Sequence, residues 1–108
     1  MTPSKLIKHA EMNTVYADGS TPTSGVCMVR LDSASRELKI YYVDENGEEV
    51  FYVGPELGLG HWKLQCPANG GIASLHAFDG SDIFEGSWIE SRREGMWRIT
   101  VEDDDETE

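Results

Sequence analysis

The side chains best suited to acid–base or metal chemistry are His61, His76 and Glu85. Both histidines alternate out of step with the apolar residues Trp62 and Leu75, so we expect them to point outward from a sheet. A histidine facing Glu85 across a strand pair can act as a general base, but on an exposed pair it is ordinarily a surface contact. A metal site needs three or four converging ligands. We therefore predict no catalytic residue and no metal site.

Two acidic turns and a group of glycines are the other segments that could bind an ion or a nucleotide. The turns Asp44–Glu49 and Asp79–Asp82 do not match the ligand spacing of an EF-hand. The glycines at 54, 58 and 60 fit neither nucleotide-binding template. The sequence therefore predicts no cofactor, and an enzyme is the less favoured class.

The two cysteines, Cys27 and Cys66, fit no zinc pattern. Short secreted domains that depend on disulfides carry four or more cysteines, so we expect two buried free thiols, although a bridge between them stays open. The chain has no segment of signal-peptide character and no run of 18 apolar residues. These features favour a cytoplasmic protein.

The charge of the chain excludes two classes of partner. Its 108 residues include 20 acidic and 9 basic side chains, a net charge of −11. Nucleic acids and anionic membranes both require a basic surface, so neither is expected as a partner. Residues 102–108 are almost entirely acidic. We predict that they form a disordered tail, because like charges repel one another and bury no apolar surface.

The N-terminal segment, residues 1–25, is predicted to be a short helix followed by a loop. Ser4 could cap a helix that runs to about Met12. Within it Leu6, Ile7 and Ala10 would share one side.

From Val26 onward the composition indicates an all-β domain over residues 26–101. Apolar and polar residues alternate in short runs, and turn residues recur every 8–12 positions, which is typical of an antiparallel sheet. We predict an antiparallel meander of about seven strands that is strongly bent or closed into a small barrel, with the N-terminal segment able to complete it. The predicted strands cover residues 26–31, 37–43, 49–54, 60–66, 72–78, 82–90 and 95–101.

The register of the hairpin over residues 37–54 has two solutions. Asn46-Gly47 readily adopts the positive φ angles of a tight turn. A two-residue turn pairs Tyr42 with Phe51, and a three-residue turn with a bulge pairs Tyr42 with Val50. The pattern alone leaves both open.

The C-terminal hairpins place their large apolar residues on one side. Leu75 faces either Gly86 or Phe84, depending on the length of the preceding turn. A four-residue loop in the last hairpin would put Trp88 opposite Trp97. Either pairing of Leu75 keeps the inner face apolar.

Three strands repeat a Gly-x-Trp triplet: Gly60-His61-Trp62, Gly86-Ser87-Trp88 and Gly95-Met96-Trp97. Residues two apart in a strand share a face, so each glycine lies beside its tryptophan on the inner side. Glycines within strands also permit the coiling that closes a sheet. The tryptophans are either part of a filled core or the lining of an apolar pocket.

Gly-x-Trp triplets in a meandering antiparallel barrel resemble the calycin superfamily, which includes the lipocalins. The resemblance covers roughly residues 26–101 and rests on the triplets and the strand pattern. It implies a binding protein that holds a small apolar ligand inside the barrel. The ligand-binding residues expected on this reading are Trp62, Trp88, Trp97, Leu75 and Phe84.

Several strands also carry apolar residues on their predicted outer face. Such strands are ordinarily covered on both sides, here by the N-terminal segment or by a second subunit. The alternative function is therefore a homodimeric protein-interaction module with a filled core and no ligand. Its expected interface residues are Tyr41, Val43, Phe78, Ile83 and Ile89.

Overall fold

The computed structural model describes residues 5–32, 34–44, 46–78, 80–91 and 93–102. All regular structure in these residues is β-strand, as the alternating pattern predicts. The strands are β1 (Lys5–Tyr16), β2 (Thr23–Asp32), β3 (Leu38–Val43), β4 (Glu49–Gly54), β5 (Glu56–Gly58), β6 (His61–Gln65), β7 (Ile72–His76), β8 (Ile83–Glu90) and β9 (Arg93–Val101).

Eight of these strands form a closed antiparallel barrel. Their order around it is β4-β3-β2-β1-β9-β8-β7-β6. The ring closes where β4 meets β6, with Val53 paired to Gln65. The short strand β5 pairs only with β6 and lies outside the ring of eight. Closure pairs the two outer strands of the sheet with each other and so shortens the open edges through which sheets aggregate.

The predicted N-terminal helix is wrong, because this segment is the strand β1. β1 pairs with β2 on one side and with β9 on the other. Its exposure alternates with a period of two, since His9 and Glu11 are exposed while Ala10 and Met12 are buried. Without β1, strands β2 and β9 would both have open edges, so pairing from two sides outweighs the local helical spacing. The barrel therefore begins in this segment, which supplies the eighth strand.

The structure settles the registers of the hairpins. Tyr42 pairs with Val50, which places Tyr52 inside the barrel and Phe51 outside. In the next hairpin Leu75 pairs with Gly86. Both pairings are among those predicted.

The predicted register of the last hairpin is wrong by two residues. Trp88 pairs with Gly95, and Trp97 pairs with Gly86. The connection is shorter than expected because Glu90 already pairs with Arg93, and Ser91 takes a positive φ of 54°. A shift of two preserves the inner face, and it sets each tryptophan opposite a glycine.

Two strand glycines allow neighbouring backbones to approach more closely than any side chain permits. A β-carbon at Gly54 would overlap the backbone carbonyl of Lys63, at the junction of β4 and β6. One at Gly86 would overlap the carbonyl of Ser74. These contacts are what tight coiling of the sheet requires, and the first lies beside the closure of the barrel.

The interior holds a single cluster of apolar side chains. The described residues include no buried polar or charged side chain, and both cysteines are buried free thiols. The cluster comprises Ala10, Met12, Cys27, Val29, Leu38, Ile40, Tyr52, Trp62, Leu64, Cys66, Ala73, Leu75, Phe84, Trp88, Trp97 and Ile99.

Parts of two predictions fall outside the described residues. Ser4 and residues 103–108 of the acidic segment belong to this group. Glu102 is described, and its backbone N–H donates to the carbonyl of His9 at 2.9 Å. Within the described residues, no helix has the length and apolarity to cross a membrane.

Candidate functional site

The two ends of the barrel differ, and the candidate site lies at one of them. We call the closed end the one formed by the β2–β3, β4–β6 and β7–β8 connections. The open end is formed by the β1–β2, β3–β4, β6–β7 and β8–β9 connections.

The closed end is sealed by direct contacts. The indole N–H of Trp62 donates to the carbonyl of Arg36 at 3.2 Å, and the Trp62 ring packs against Phe84 with centroids 5.4 Å apart. The Arg36 guanidinium donates to the Glu56 carboxylate at 2.9 Å, and that carboxylate accepts the N–H of Gly60 at 3.0 Å. The hydrogen bond from Arg36, and to a smaller extent the one from Gly60, holds the pKa of Glu56 below its usual value.

At the open end the interior is not filled. A cavity of about 640 Å³ that is open to solvent extends from the mouth and the outer wall at β2 and β3 to the rings of Trp88 and Trp97. Met12, Cys27 and Tyr42 contribute to its walls. Binding sites for small molecules commonly measure a few hundred to a thousand Å³, so this volume is large enough to hold one.

The cavity also opens sideways through the wall of the barrel. β2 pairs with β3 only over Met28–Leu31, although both strands continue toward the open end. The part of β2 that does not pair with β3 includes Gly25 and Val26, and the facing end of β3 includes Val43. All three residues line the cavity. The two strands therefore diverge and leave a slot, through which a molecule could enter without passing between the loops.

Aromatic side chains make up the floor and walls of this cavity. Trp88 and Trp97 are stacked with centroids 6.3 Å apart. Tyr16 meets the edge of Trp88 at 5.7 Å, while Tyr42 and Tyr52 meet Trp97 at 6.3 and 5.0 Å, both nearly perpendicular. Edge-to-face packing stabilises such clusters beyond the area they bury.

One carboxylate reaches into the cavity among these rings. Glu90 is partly buried, lines the cavity and accepts a hydrogen bond from the Tyr52 hydroxyl at 2.6 Å. Burial is the main cause that raises the pKa of Tyr52 above its usual value. The hydrogen bond to Glu90 and the negative charge of Glu90 raise it further. Burial and the charge of Glu90 raise the pKa of Tyr42 as well. Both phenols are therefore neutral at physiological pH.

A cation lies at the rim of the cavity, where its charge is already compensated. The Arg93 guanidinium lies 4.3 Å from the centre of the Tyr16 ring. It donates to the hydroxyl of Ser20 at 3.3 Å and lies 3.7 Å from the Asp18 carboxylate. Hydrogen bonds from Ser20, and then the Arg93 charge, lower the pKa of Asp18. This network links the β1–β2 loop to the β8–β9 hairpin.

Two polar groups of the cavity lining are enclosed by protein. The Trp88 indole nitrogen is the one buried side-chain nitrogen or oxygen of the described residues that has no hydrogen-bond partner. Such an orphan donor costs about 1–3 kcal/mol. Burial raises the pKa of Cys27 to about 12, so this thiol is a poor nucleophile at neutral pH.

The five predicted ligand-binding residues are all buried but do not lie together. Trp88 and Trp97 line the cavity. Trp62 and Phe84 pack on each other at the closed end, and Leu75 is fully enclosed beside them. The structure therefore brings two of the five to the cavity.

The sequence does not single out several other wall residues, among them Tyr16, Met12 and Glu90. Tyr16 and Met12 were placed in the expected N-terminal loop and helix, so their inner face could not be read. Glu90 had a usable signal, because it alternates in step with Trp88 and so shares its inner face.

The candidate chemical residues form a row on the outside of the barrel. His61 pairs with His76, and His76 pairs with Glu85, as their outward alternation predicts. The two imidazole centroids are 4.2 Å apart, and Glu85 forms an ion pair with Arg98. In the part of the chain that the structure describes, no three metal-ligating side chains converge.

The predicted interface residues lie on opposite sides of the barrel. Tyr41 and Val43 belong to β3, whereas Ile83 and Ile89 belong to β8, which is four strands away in either direction. Phe78 is exposed in the connection after β7. One flat contact could therefore cover only part of this set.

The fold and its cavity define the class of this protein as a closed, eight-stranded antiparallel β-barrel with an open aromatic mouth. No protein-family model matches the sequence, and neither does any curated protein.

Proposed function

We propose that this protein is a non-catalytic, calycin-like binding module that holds a small, mainly apolar molecule in the open half of its barrel. The observation that carries the proposal is the cavity of about 640 Å³ whose walls include Trp88 and Trp97. Water in such an aromatic-lined space is readily displaced by an apolar molecule, since each Å² of apolar surface removed from water contributes about 25 cal/mol.

The rest of the barrel supports a ligand site that is confined to the open half. Leu38, Leu75 and Ile99 are fully buried toward the closed end, so the closed half contributes stability rather than space. The slot between β2 and β3 supplies a route of entry. The walls are held by edge-to-face ring contacts, so the site is largely formed before anything binds.

The test is a calorimetric titration with naphthylmethanol, a neutral aromatic probe, in a chain whose cavity is blocked. Gly25 faces inward opposite the buried Met12, and a β-carbon there meets no atom within 4 Å. Gly25→Leu should therefore fill the mouth without strain and weaken binding by roughly tenfold or more.

Gly58→Leu is the matched control for that variant. Gly58 lies in β5 at the closed end and has the same open space around it. It should leave binding unchanged. If the unmodified chain binds no apolar probe, or if both variants weaken binding equally, the proposal fails.

Homodimerisation is the second candidate, and one surface favours it. Val15, Met96, Ile89 and Ile72 are exposed on the adjacent strands β1, β9, β8 and β7. Such a strip is typical of a protein contact. Sedimentation at micromolar concentration should then show a dimer that Ile89→Glu dissociates, and a strict monomer would remove this candidate.

A further inference from the structure

We propose that the molecule held in the cavity is an organic cation, an aromatic or alkyl ammonium ion, recognised by Glu90 and the surrounding rings. This inference rests on the proposed function, because it names the chemical class of the ligand for the same site. Its starting point is the placement of the Glu90 carboxylate beside the aromatic rings at the inner end of the cavity.

The half-buried Glu90 carboxylate faces Arg93 across the β8–β9 hairpin, but the Arg93 guanidinium is engaged with Asp18 and Ser20. Among the described residues, Tyr52 is its only hydrogen-bond donor, and no basic side chain comes within 4.0 Å. A carboxylate that is partly shielded from water gains more from a paired cation than a fully exposed one does. An ammonium group entering the cavity would supply both the missing charge and further hydrogen-bond donors.

The rings around this carboxylate suit the same ligand. Tyr42, Trp88 and Trp97 line the cavity together with Glu90. The negative face of an aromatic ring attracts an ammonium ion, most strongly when the site excludes water. A cation therefore gains from the walls as well as from the carboxylate, whereas an anion loses on both.

The charges at the rim point in the same direction. Asp44 and Glu49 also line the cavity and are acidic. Among the described residues of the lining, Arg93 is the one arginine or lysine, and it is engaged with Tyr16, Ser20 and Asp18. The mouth is therefore negative overall and should admit cations in preference to fatty acids or other carboxylates.

The experiment compares three probes that share one ring: naphthylmethylamine, naphthylmethanol and naphthoate, each titrated calorimetrically at neutral pH, where the amine is protonated. We expect the amine to bind roughly tenfold more tightly than the alcohol, and naphthoate to bind most weakly. In Glu90→Gln the amine should fall to the level of the alcohol. The glutamine oxygen can still accept the Tyr52 hydrogen bond, so binding of the alcohol should not change.

Glu85→Gln is the control, because it removes the same charge from the outer face of the barrel and should leave the preference for the amine intact. Equal binding of the three probes by the unmodified chain would overturn the cation assignment while the proposed function stands. A preference for the amine that survives Glu90→Gln would also overturn it. Failure of all three probes to bind would overturn both proposals.

Discussion

The two halves of the barrel contain the same residue types in different roles. At the closed end the Trp62 indole has a hydrogen-bond partner, a packed neighbour in Phe84 and an ion pair beside it. At the open end Trp88 lines a cavity and its indole N–H is unpaired. The difference teaches that burial of a tryptophan does not say whether it closes a core or walls a site. What its polar atom contacts, and whether space remains beside it, decide between the two.

The largest effect on stability is expected at high pH, because the buried groups that ionise there belong to the open half. Burial raises the pKa of Cys27 to about 12 and raises the pKa of Tyr42 and Tyr52. Their neutral forms are favoured by folding, so stability is intact below the unfolded pKa values of 9.0 and 10.0 and is lost as pH rises above them. Urea midpoints measured at stepwise increasing pH should fall from about pH 9 upward.

Tyr42→Phe gives the control for this pH dependence, because it removes one of the groups that must ionise. Its urea midpoint should decline less steeply with pH than that of the unmodified chain. Midpoints that stay constant while the tyrosines ionise would show that these side chains are not held neutral by the fold.

A large effect is also expected from adding one methyl group to an inner-face glycine. Gly54→Ala should cost about 3 kcal/mol, because the new carbon would overlap the Lys63 carbonyl where the barrel closes. Gly25→Ala at the open end should change stability by less than about 1 kcal/mol, since its surroundings are empty. Chemical denaturation measures both, and equal costs would contradict the account of a tight seam and an open mouth.

A smaller contrast is expected between two tryptophans. Trp62→Phe should cost about 2 kcal/mol, because it removes packed volume and the hydrogen bond from the indole to the Arg36 carbonyl. Trp88→Phe loses similar volume but also removes an unpaired donor, so it should cost about 1 kcal/mol less. The free energies of unfolding test this order, and a larger loss for Trp88→Phe would reverse our reading of the two ends.

The smallest effect should come from the exposed ion pair between Glu85 and Arg98, which belongs to neither half. Arg98→Ala should cost at most about 1 kcal/mol, because water and salt screen such pairs. It should also leave ligand binding unchanged. A loss comparable with that of Trp62→Phe would mean that the outer histidine row has a role we have not assigned.

Much of the fold could be predicted because it depends on alternation, which is local. All seven predicted strands exist, and the inner positions of Leu75, Phe84 and Trp97 follow from the period of two. The strand β1 could not be recognised in the same way. Its spacing of Leu6, Ile7 and Ala10 suits a helix, and only pairing with two strands distant in sequence makes it β.

The candidate site was harder to predict than the fold. Alternation shows that Trp88 and Trp62 both point inward, but not which end of the barrel is filled. Which end is filled depends on where β2 and β3 cease to pair. The last pair toward the open end is Met28 with Tyr41, and no short-range sequence pattern reports that position. The two-residue error in the last hairpin has a similar origin, because a shift by two conserves the apolar face.

The most direct test of the central claim uses the three tryptophans as reporters of position. In a ¹H–¹⁵N spectrum each indole N–H gives its own resonance, and a naphthalene ring bound nearby shifts it through its ring current. Titration with naphthylmethanol should move the resonances of Trp88 and Trp97 and leave that of Trp62 in place. No movement, or movement of Trp62 as large as that of Trp88, would contradict a ligand site in the open half of the barrel.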